Sequence, residues 1–373
     1  MDHKKYRGIG AGVVLAAWLA LTLCAWFAPA KQTSEAERRP LEQLPSLSWQ
    51  SLLNTDFMKK FESYTLDQFP LRDGFRTIKA LFHNYGLLQK DNNGIYIADG
   101  FAAKLDHTLN ASAVTGATDR FNRLYETYLK ERGCNIFVSI VPDKGYYLAE
   151  ANGYPTMDYG QLFAQVQENM PWAEYIDLTG SLRAEDYYFT DTHWRQEKLI
   201  PVAQKLAQAM GVKLPSMDSF RVTALERPFY GVYYGQAALP MPSETMYILQ
   251  SDVLDGCIVS GYDTMGRPTT MQVYNEADLG SADLYDIFLS GVEGFLTIEN
   301  PAADSDRELV IFRDSFGSSL APLLVQSYAK ITLVDIRYMR MDMLKMLMTF
   351  EDQDILFLYS TLVLNNADAF QTA

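Results

Sequence analysis

Leu309-Val310-Ile311-Phe312-Arg313-Asp314-Ser315-Phe316-Gly317-Ser318-Ser319 is the most informative stretch of the 373-residue chain. Four large apolar residues in succession read as a strand covered on both faces, and the small-residue turn after them opens a helix. That junction sets Ser315 at the carboxyl end of a strand, beside N–H groups that the first turn of a helix leaves without partners. Two roles stand open. Those donors can stabilise an oxyanion formed by attack of the Ser315 hydroxyl, or the serine simply caps the helix.

Working outward, apolar runs recur at 135–141, 331–334 and 355–359, with helical patterns at 117–132, 196–210, 319–328 and 339–350. Strands alternating with helices predict βαβ units, hence an α/β fold with a parallel sheet flanked by helices. Residues 220–303 are richer in Tyr, Gly and short alternating runs such as Thr270-Met271-Gln272-Val273-Tyr274, and are expected as an inserted β-rich segment. Between 49 and 95, Leu53, Phe57, Phe61 and Tyr64, then Phe75, Ile78, Leu81, Phe82 and Tyr85, recur at helical spacing on either side of Pro70. They predict two amphipathic helices whose stripes serve packing.

The chain is 48% hydrophobic and 21% charged, the composition of a folded protein with a sizeable core. Thirty-two Lys plus Arg against 46 Asp plus Glu leave a net charge of −14, which opposes docking on phosphate backbones, so nucleic acid is not an expected partner. Four His and three Cys are too few and too scattered for a metal centre, and no cofactor is expected.

Residues 8–30 hold no charged side chain and follow Lys4, Lys5 and Arg7. A helix of this length spans roughly 30 Å of hydrocarbon. The basic flank keeps the N-terminus cytoplasmic, so the remainder is extracytoplasmic, anchored by one membrane helix or secreted if cleaved after Ala30. Asp2 against the three basic residues gives the first 30 residues +2, which leaves −16 on the exported part. Residues 31–48 read as a polar linker before a domain spanning 49–373. Cys134 and Cys257 are either buried thiols or a bridge that an oxidising compartment permits.

A second candidate site lies at Tyr188-Phe189-Thr190-Asp191-Thr192-His193-Trp194. A serine hydroxyl is a poor nucleophile unless an imidazole takes its proton, and the imidazole needs a carboxylate to fix its tautomer. His193 and Asp191 supply both groups. Lys144, after the 135–141 strand, Trp194 and Tyr234 are the candidate substrate contacts, the two aromatics as flat stacking faces. Asp335 and Arg337 read as an ion pair supporting the same crevice.

With these residues in place the sequence resembles the DHHW-motif proteins of bacterial cell surfaces, related to the alginate O-acetyltransferases of the SGNH-hydrolase superfamily. The markers run from Asp67-Gln68-Phe69-Pro70-Leu71-Arg72 through Val141-Pro142-Asp143-Lys144, Asp191-Thr192-His193-Trp194, Phe288-Leu289-Ser290-Gly291 and Arg313-Asp314-Ser315-Phe316-Gly317 to Asp335-Ile336-Arg337-Tyr338. The resemblance implies an SGNH-like domain with Ser315 as nucleophile, His193 as base and Asp191 as its orienting acid. Thr192 stands where the motif has a second histidine. The Asp-x-His block precedes the serine, a permuted order relative to ordinary SGNH hydrolases, and no clear Gly and Asn blocks supply further oxyanion donors.

The leading expectation is a membrane-anchored serine esterase or O-acetyltransferase acting on a cell-surface polysaccharide. The resemblance further implies a multi-spanning membrane acyltransferase as supplier of acyl groups. The rival is a non-catalytic module that binds glycan or scaffolds the envelope.

Overall fold

The computed structural model describes residues 3–262 and 266–370, so residues 263–265 of the expected β-rich segment lie outside the described residues. The chain forms two compact units, a larger one of residues 94–233 and 241–373 and a smaller one of residues 1–93 and 234–240.

The larger unit is mixed α/β. Among the described residues its central sheet has eight strands, numbered in chain order: β1 Asn135–Val141, β2 Glu174–Tyr175, β3 Ile258–Tyr262, β4 Pro268–Met271, β5 Phe295–Glu299, β6 Glu308–Arg313, β7 Lys330–Val334 and β8 Asp354–Ser360. Their spatial order is β4-β3-β5-β7-β6-β8-β1-β2. From β7 to β2 every neighbouring pair is parallel, whereas β5, β3 and β4 add on antiparallel beside β7.

The apolar run at 309–312 follows from its burial on two sides. Leu309 and Ile311 enter one core layer with the helices Ile200–Ala209 and Phe316–Leu324; Val310 and Phe312 enter the other with Ala111–Leu124 and Tyr159–Asn169. Successive side chains of a strand point to opposite faces, so a sheet covered on both faces needs apolar residues at every position. Because β1, β6, β7 and β8 are parallel, the segments after them, 142–144, 314–315, 335–338 and 360–361, gather at one edge. That is where an open α/β sheet offers a crevice.

Three expectations are refined. The β-rich stretch places β3, β4 and β5 in the main sheet, and contributes a separate hairpin of Arg221–Ala224 with Tyr247–Gln250. The helix expected at 339–350 shrinks to short turns at Met341–Met343 and Leu344–Leu347. Cys134 and Cys257 are free thiols.

In the smaller unit, Ile9–Phe27 is long and apolar enough to cross a membrane. Within residues 31–48, the expected polar linker, Thr33–Ser34 pairs with Arg39–Pro40, and Arg39 donates two hydrogen bonds to Asp67, at 2.8 and 2.6 Å. Those bonds hold the Asp67 carboxyl down at about 2. The helices Asp56–Asp67 and Arg72–Leu81 meet the expectation of two helices broken at Pro70. Their stripes do not meet the expectation of packing. Leu53, Phe61, Phe75, Ile78, Phe82 and Tyr85 are exposed, and only Phe57, Tyr64 and Leu81 are half-buried. Helical spacing records that an apolar face exists, and a surface following a membrane helix has covers other than its own core.

Candidate active site

Ser315 lies two residues past the end of β6, after Asp314, and directly precedes the helix Phe316–Leu324. Its hydroxyl does not cap that helix. Asp314 does so instead: its Oδ1 accepts from the Phe316 N–H at 3.0 Å, and its Oδ2 from the Ser360 N–H at 2.7 Å, which ties the turn to the end of β8. The Gly317 N–H donates to the Asp314 carbonyl. Of the donors expected at this helix start, those of Phe316, Gly317 and Ser318 are therefore occupied, and among the described residues the Ser315 N–H makes no hydrogen bond.

Residues 187–194 form a tight reversal, with Tyr187 bridged to Trp194 and the Tyr188 N–H donating to the His193 carbonyl at 3.1 Å. Within it, Asp191 Oδ1 accepts from both the His193 backbone N–H, at 3.0 Å, and Nδ1, at 2.6 Å. Asp191 Oδ2 accepts from the Val232 N–H at 2.8 Å. An ionised carboxylate only accepts, so Nδ1 carries the proton and Nε2 presents a lone pair. Ser315 Oγ lies 2.7 Å from that Nε2, across 122 positions of sequence. The imidazole is further held by the Tyr285 ring, stacked on it at 3.8 Å with 6° between planes, and by Phe316 at 5.0 Å. His193 is buried and Ser315 half-buried, so the hydroxyl is the open end of the relay. Such an arrangement can transfer the serine proton to Nε2 as Oγ attacks an electrophile.

Two of the three expected substrate contacts are corrected. Lys144 begins the helix Lys144–Leu148, is 2% exposed, and donates to the carbonyls of Tyr188 at 2.8 Å and Phe189 at 3.3 Å. The turn at the end of β1 swings it under the 188–193 reversal, where burial pulls its pKa down to about 7 against the opposing charges of Asp191, Glu244 and Asp143. Trp194 is fully buried, with Nε1 donating to Ser319 Oγ at 2.9 Å, and offers no stacking face. Tyr234 belongs to the smaller unit and is half-buried there. Asp335 and Arg337 do form an ion pair, at 2.7 Å.

Four groups were not anticipated. Tyr285 stacks on His193 while its hydroxyl meets Ser319 Oγ at 2.7 Å. Asp314 supplies the cap, and the backbone of 231–233 clasps the Asp191 turn through donors to Thr190 and Asp191. The signal for Asp314 was its place beside Ser315; the other groups left none.

Glu244 is the fourth, 9% exposed, accepting from Arg195 at 3.2 Å. Burial outweighs that cation and pushes its carboxyl from 4.5 up to about 7. Between those values the folded protein keeps a proton that the unfolded chain has released, so stability falls as pH rises through the window. Glu244→Gln removes this dependence. Relative to wild type, the variant should gain about 2–3 kcal/mol of unfolding free energy between pH 4.5 and 7, followed by denaturant titration. A constant difference across the window would show that Glu244 titrates normally.

Neither a protein-family model nor a curated protein sequence matches the chain. Solved structures do. A DHHW family protein from Eubacterium siraeum DSM 15702 superposes with a TM-score of 0.62 at 20% identity, covering 76% of this chain and 96% of that one. Bacillus cereus PatB1 with a sulfonyl adduct gives 0.61 at 17% identity, covering 74% and 97%; PatB1 alone gives 0.56 at 18%, covering 75% and 99%. The resemblance read from the sequence therefore holds at the level of the fold.

Proposed function

We propose that this chain, which shares its fold with a DHHW family protein and with PatB1, is an extracytoplasmic serine O-acetyltransferase or acetylesterase of a cell-surface polysaccharide. The observation that carries the reading is the relay from Asp191 Oδ1 to Nδ1 at 2.6 Å and from Nε2 to Ser315 Oγ at 2.7 Å. The sulfonyl adduct in PatB1 agrees with it, since sulfonylation is a reaction that activated serines undergo.

Ser315 Oγ attacks the acyl carbonyl carbon while its proton passes to His193 Nε2, and Asp191 stabilises the imidazolium. The Ser315 N–H donates to the oxyanion of the tetrahedral intermediate. Collapse expels the alcohol, which takes the proton from Nε2 and leaves an acyl-serine. A sugar hydroxyl, or water, then gives its proton to Nε2 and attacks the acyl carbon, and collapse breaks the bond to Ser315 Oγ, which takes the proton back from Nε2 as the ester or the acid leaves. Exclusion of water favours transfer over hydrolysis.

The Asp-x-His block ahead of the serine makes the motif order permuted, with 220–303 as an insertion. The apolar segment Ile9–Phe27 anchors the chain, with Lys4, Lys5 and Arg7 holding the N-terminus inside and the remaining mass outside. A multi-spanning membrane acyltransferase supplies the acyl group. The rival module loses one of its stacking faces with Trp194 buried.

A fluorophosphonate probe reacts only with an activated serine. Peptide mapping of the treated full chain should find the adduct on Ser315. No adduct there, together with saturable polysaccharide binding, would favour the non-catalytic module.

A further inference from the structure

A groove of about 1100 Å³ opens on the larger unit, lined by Tyr262, Gln272, Ser290, Glu293 and Tyr338 over a floor that includes Phe295. Strand register fixes its place relative to the relay. Val334 at the end of β7 pairs with Phe312 of β6 on one side and with Phe295 at the start of β5 on the other. Leu296 pairs in turn with Gly261, next to Tyr262 at the end of β3. The groove therefore runs sideways along the carboxyl edge that carries Ser315, beginning about 10 Å from the end of β6 and extending roughly another strand spacing, at 4.8 Å per strand.

One loop joins the two places. At its start Tyr285 stacks on His193; at its end Glu293 lines the groove, its carbonyl accepting from the buried Arg313 guanidinium at 3.3 Å. Between them Leu289, Ser290 and Gly291 hold φ of 56°, 59° and 74°, three left-handed residues in a row. Side-chain-bearing residues keep that conformation only when their surroundings impose it. Here the Leu289 N–H donates to the Val273 carbonyl at 3.0 Å, and Asn275 Nδ2 donates to Ser290 Oγ at 3.0 Å. The loop is built to present Ser290 and Glu293 in a set position.

The chemistry of the lining selects a ligand. Tyr262 and Tyr338 are 36% and 59% exposed, so each offers a ring face. Gln272, Ser290 and Glu293 add an amide, a hydroxyl and a carboxylate, which suit sugar hydroxyls. Among the described lining residues Glu293 is the one charged group, and Arg337 and Arg340 nearby are paired with Asp335 and Asp342. With no cation among the described lining residues and a net charge of −14 on the chain, uronates and phosphates are repelled.

We infer that this groove binds the acceptor strand, and that the strand is an uncharged polysaccharide laid along the sheet edge toward Ser315. The inference rests on the acyl-transfer reading for its purpose, but its test does not need turnover.

Full chain carrying Ser315→Ala, in a non-glycosidic detergent, is titrated calorimetrically with cellohexaose, xylohexaose and chitohexaose, and with hexagalacturonate. At least one neutral hexasaccharide should bind saturably, and the acidic one at least about tenfold more weakly. Tyr262→Ala with Tyr338→Ala should weaken neutral binding by about tenfold or more, while Glu293→Gln should narrow the gap between neutral and acidic sugars. Absence of binding by all three neutral sugars, binding unchanged in the double tyrosine variant, or equal binding of hexagalacturonate would overturn the inference. A serine inert to fluorophosphonate removes the acyl-transfer reading and leaves these titrations intact; a labelled serine with unchanged titrations removes the groove alone.

Discussion

Ser315→Ala is expected to lower turnover of a chromogenic acetyl ester by roughly 10⁴-fold or more, to the level left by binding and oxyanion contacts alone. The two serines that follow in the same helix are not placed to substitute: Ser319 Oγ is engaged by Trp194 and Tyr285, and Ser318 is buried. The same change should leave the fold almost untouched. The helix cap belongs to Asp314, so removing Oγ deletes one hydrogen bond to an imidazole that Asp191, Tyr285 and Phe316 still hold. The expected change in unfolding free energy is within about 1 kcal/mol. Steady-state kinetics and thermal melting on one preparation read both quantities. Retained turnover would end the serine mechanism, and a collapse in melting temperature would mean that the hydroxyl has a structural role in this turn.

How much of this was legible in the sequence depended on the range of the signal. Leu309, Val310, Ile311 and Phe312 announce a doubly covered strand because burial on two sides acts on each residue where it stands. Asp191, His193 and Ser315 were legible by chemical type, but their meeting depends on β6 carrying Ser315 to the reversal at 187–194, which no local pattern encodes. Tyr285 was illegible for a related reason: among 23 tyrosines nothing in Leu284-Tyr285-Asp286 says that one ring covers an imidazole. Lys144 and Trp194 misled in the same way, as expected substrate contacts that the fold buries. A lysine after a strand suggests solvent, yet two carbonyls and the turn of a short helix draw its ammonium inside. A tryptophan beside a candidate histidine suggests a ligand face, yet its ring packs edge-on against Phe316 at 5.2 Å. The stripe from Leu53 to Tyr85 shows the limit of periodicity, which identifies an apolar face without identifying its cover.

These long-range supports set the second large effect, at a residue with no chemistry of its own. Gly231 lies against the Asp191 turn so closely that a β-carbon there would sit 2.3 Å from Asp191 Cα, Asp191 Cβ and the Thr190 carbonyl oxygen. These atoms belong to the backbone or its first side-chain carbon, so no rotamer change relieves the overlap. Gly231→Ala must push the 229–233 segment away from the 190–191 turn. The donors from Gly231 to Thr190 Oγ1, from Val232 to Asp191 Oδ2 and from Tyr233 to the Thr190 carbonyl then lengthen together. Asp191 loses the amide that sets its orientation, and the imidazole it steers swings off Ser315. Displacement of a reacting group by about 1 Å can cost 10²-fold in rate, and overpacking typically costs about 1–3 kcal/mol of stability. The variant should therefore lose about 10²-fold in ester turnover, with slower fluorophosphonate labelling, at temperatures well below its own melting point. Gly180→Ala is the matched control, since nothing lies within 4 Å of the added carbon. Turnover at the wild-type rate in Gly231→Ala would mean that the 229–233 segment does not brace the carboxylate. Loss of turnover without loss of fold would assign the precision of the relay to backbone contacts forty positions from the acid and over eighty from the serine.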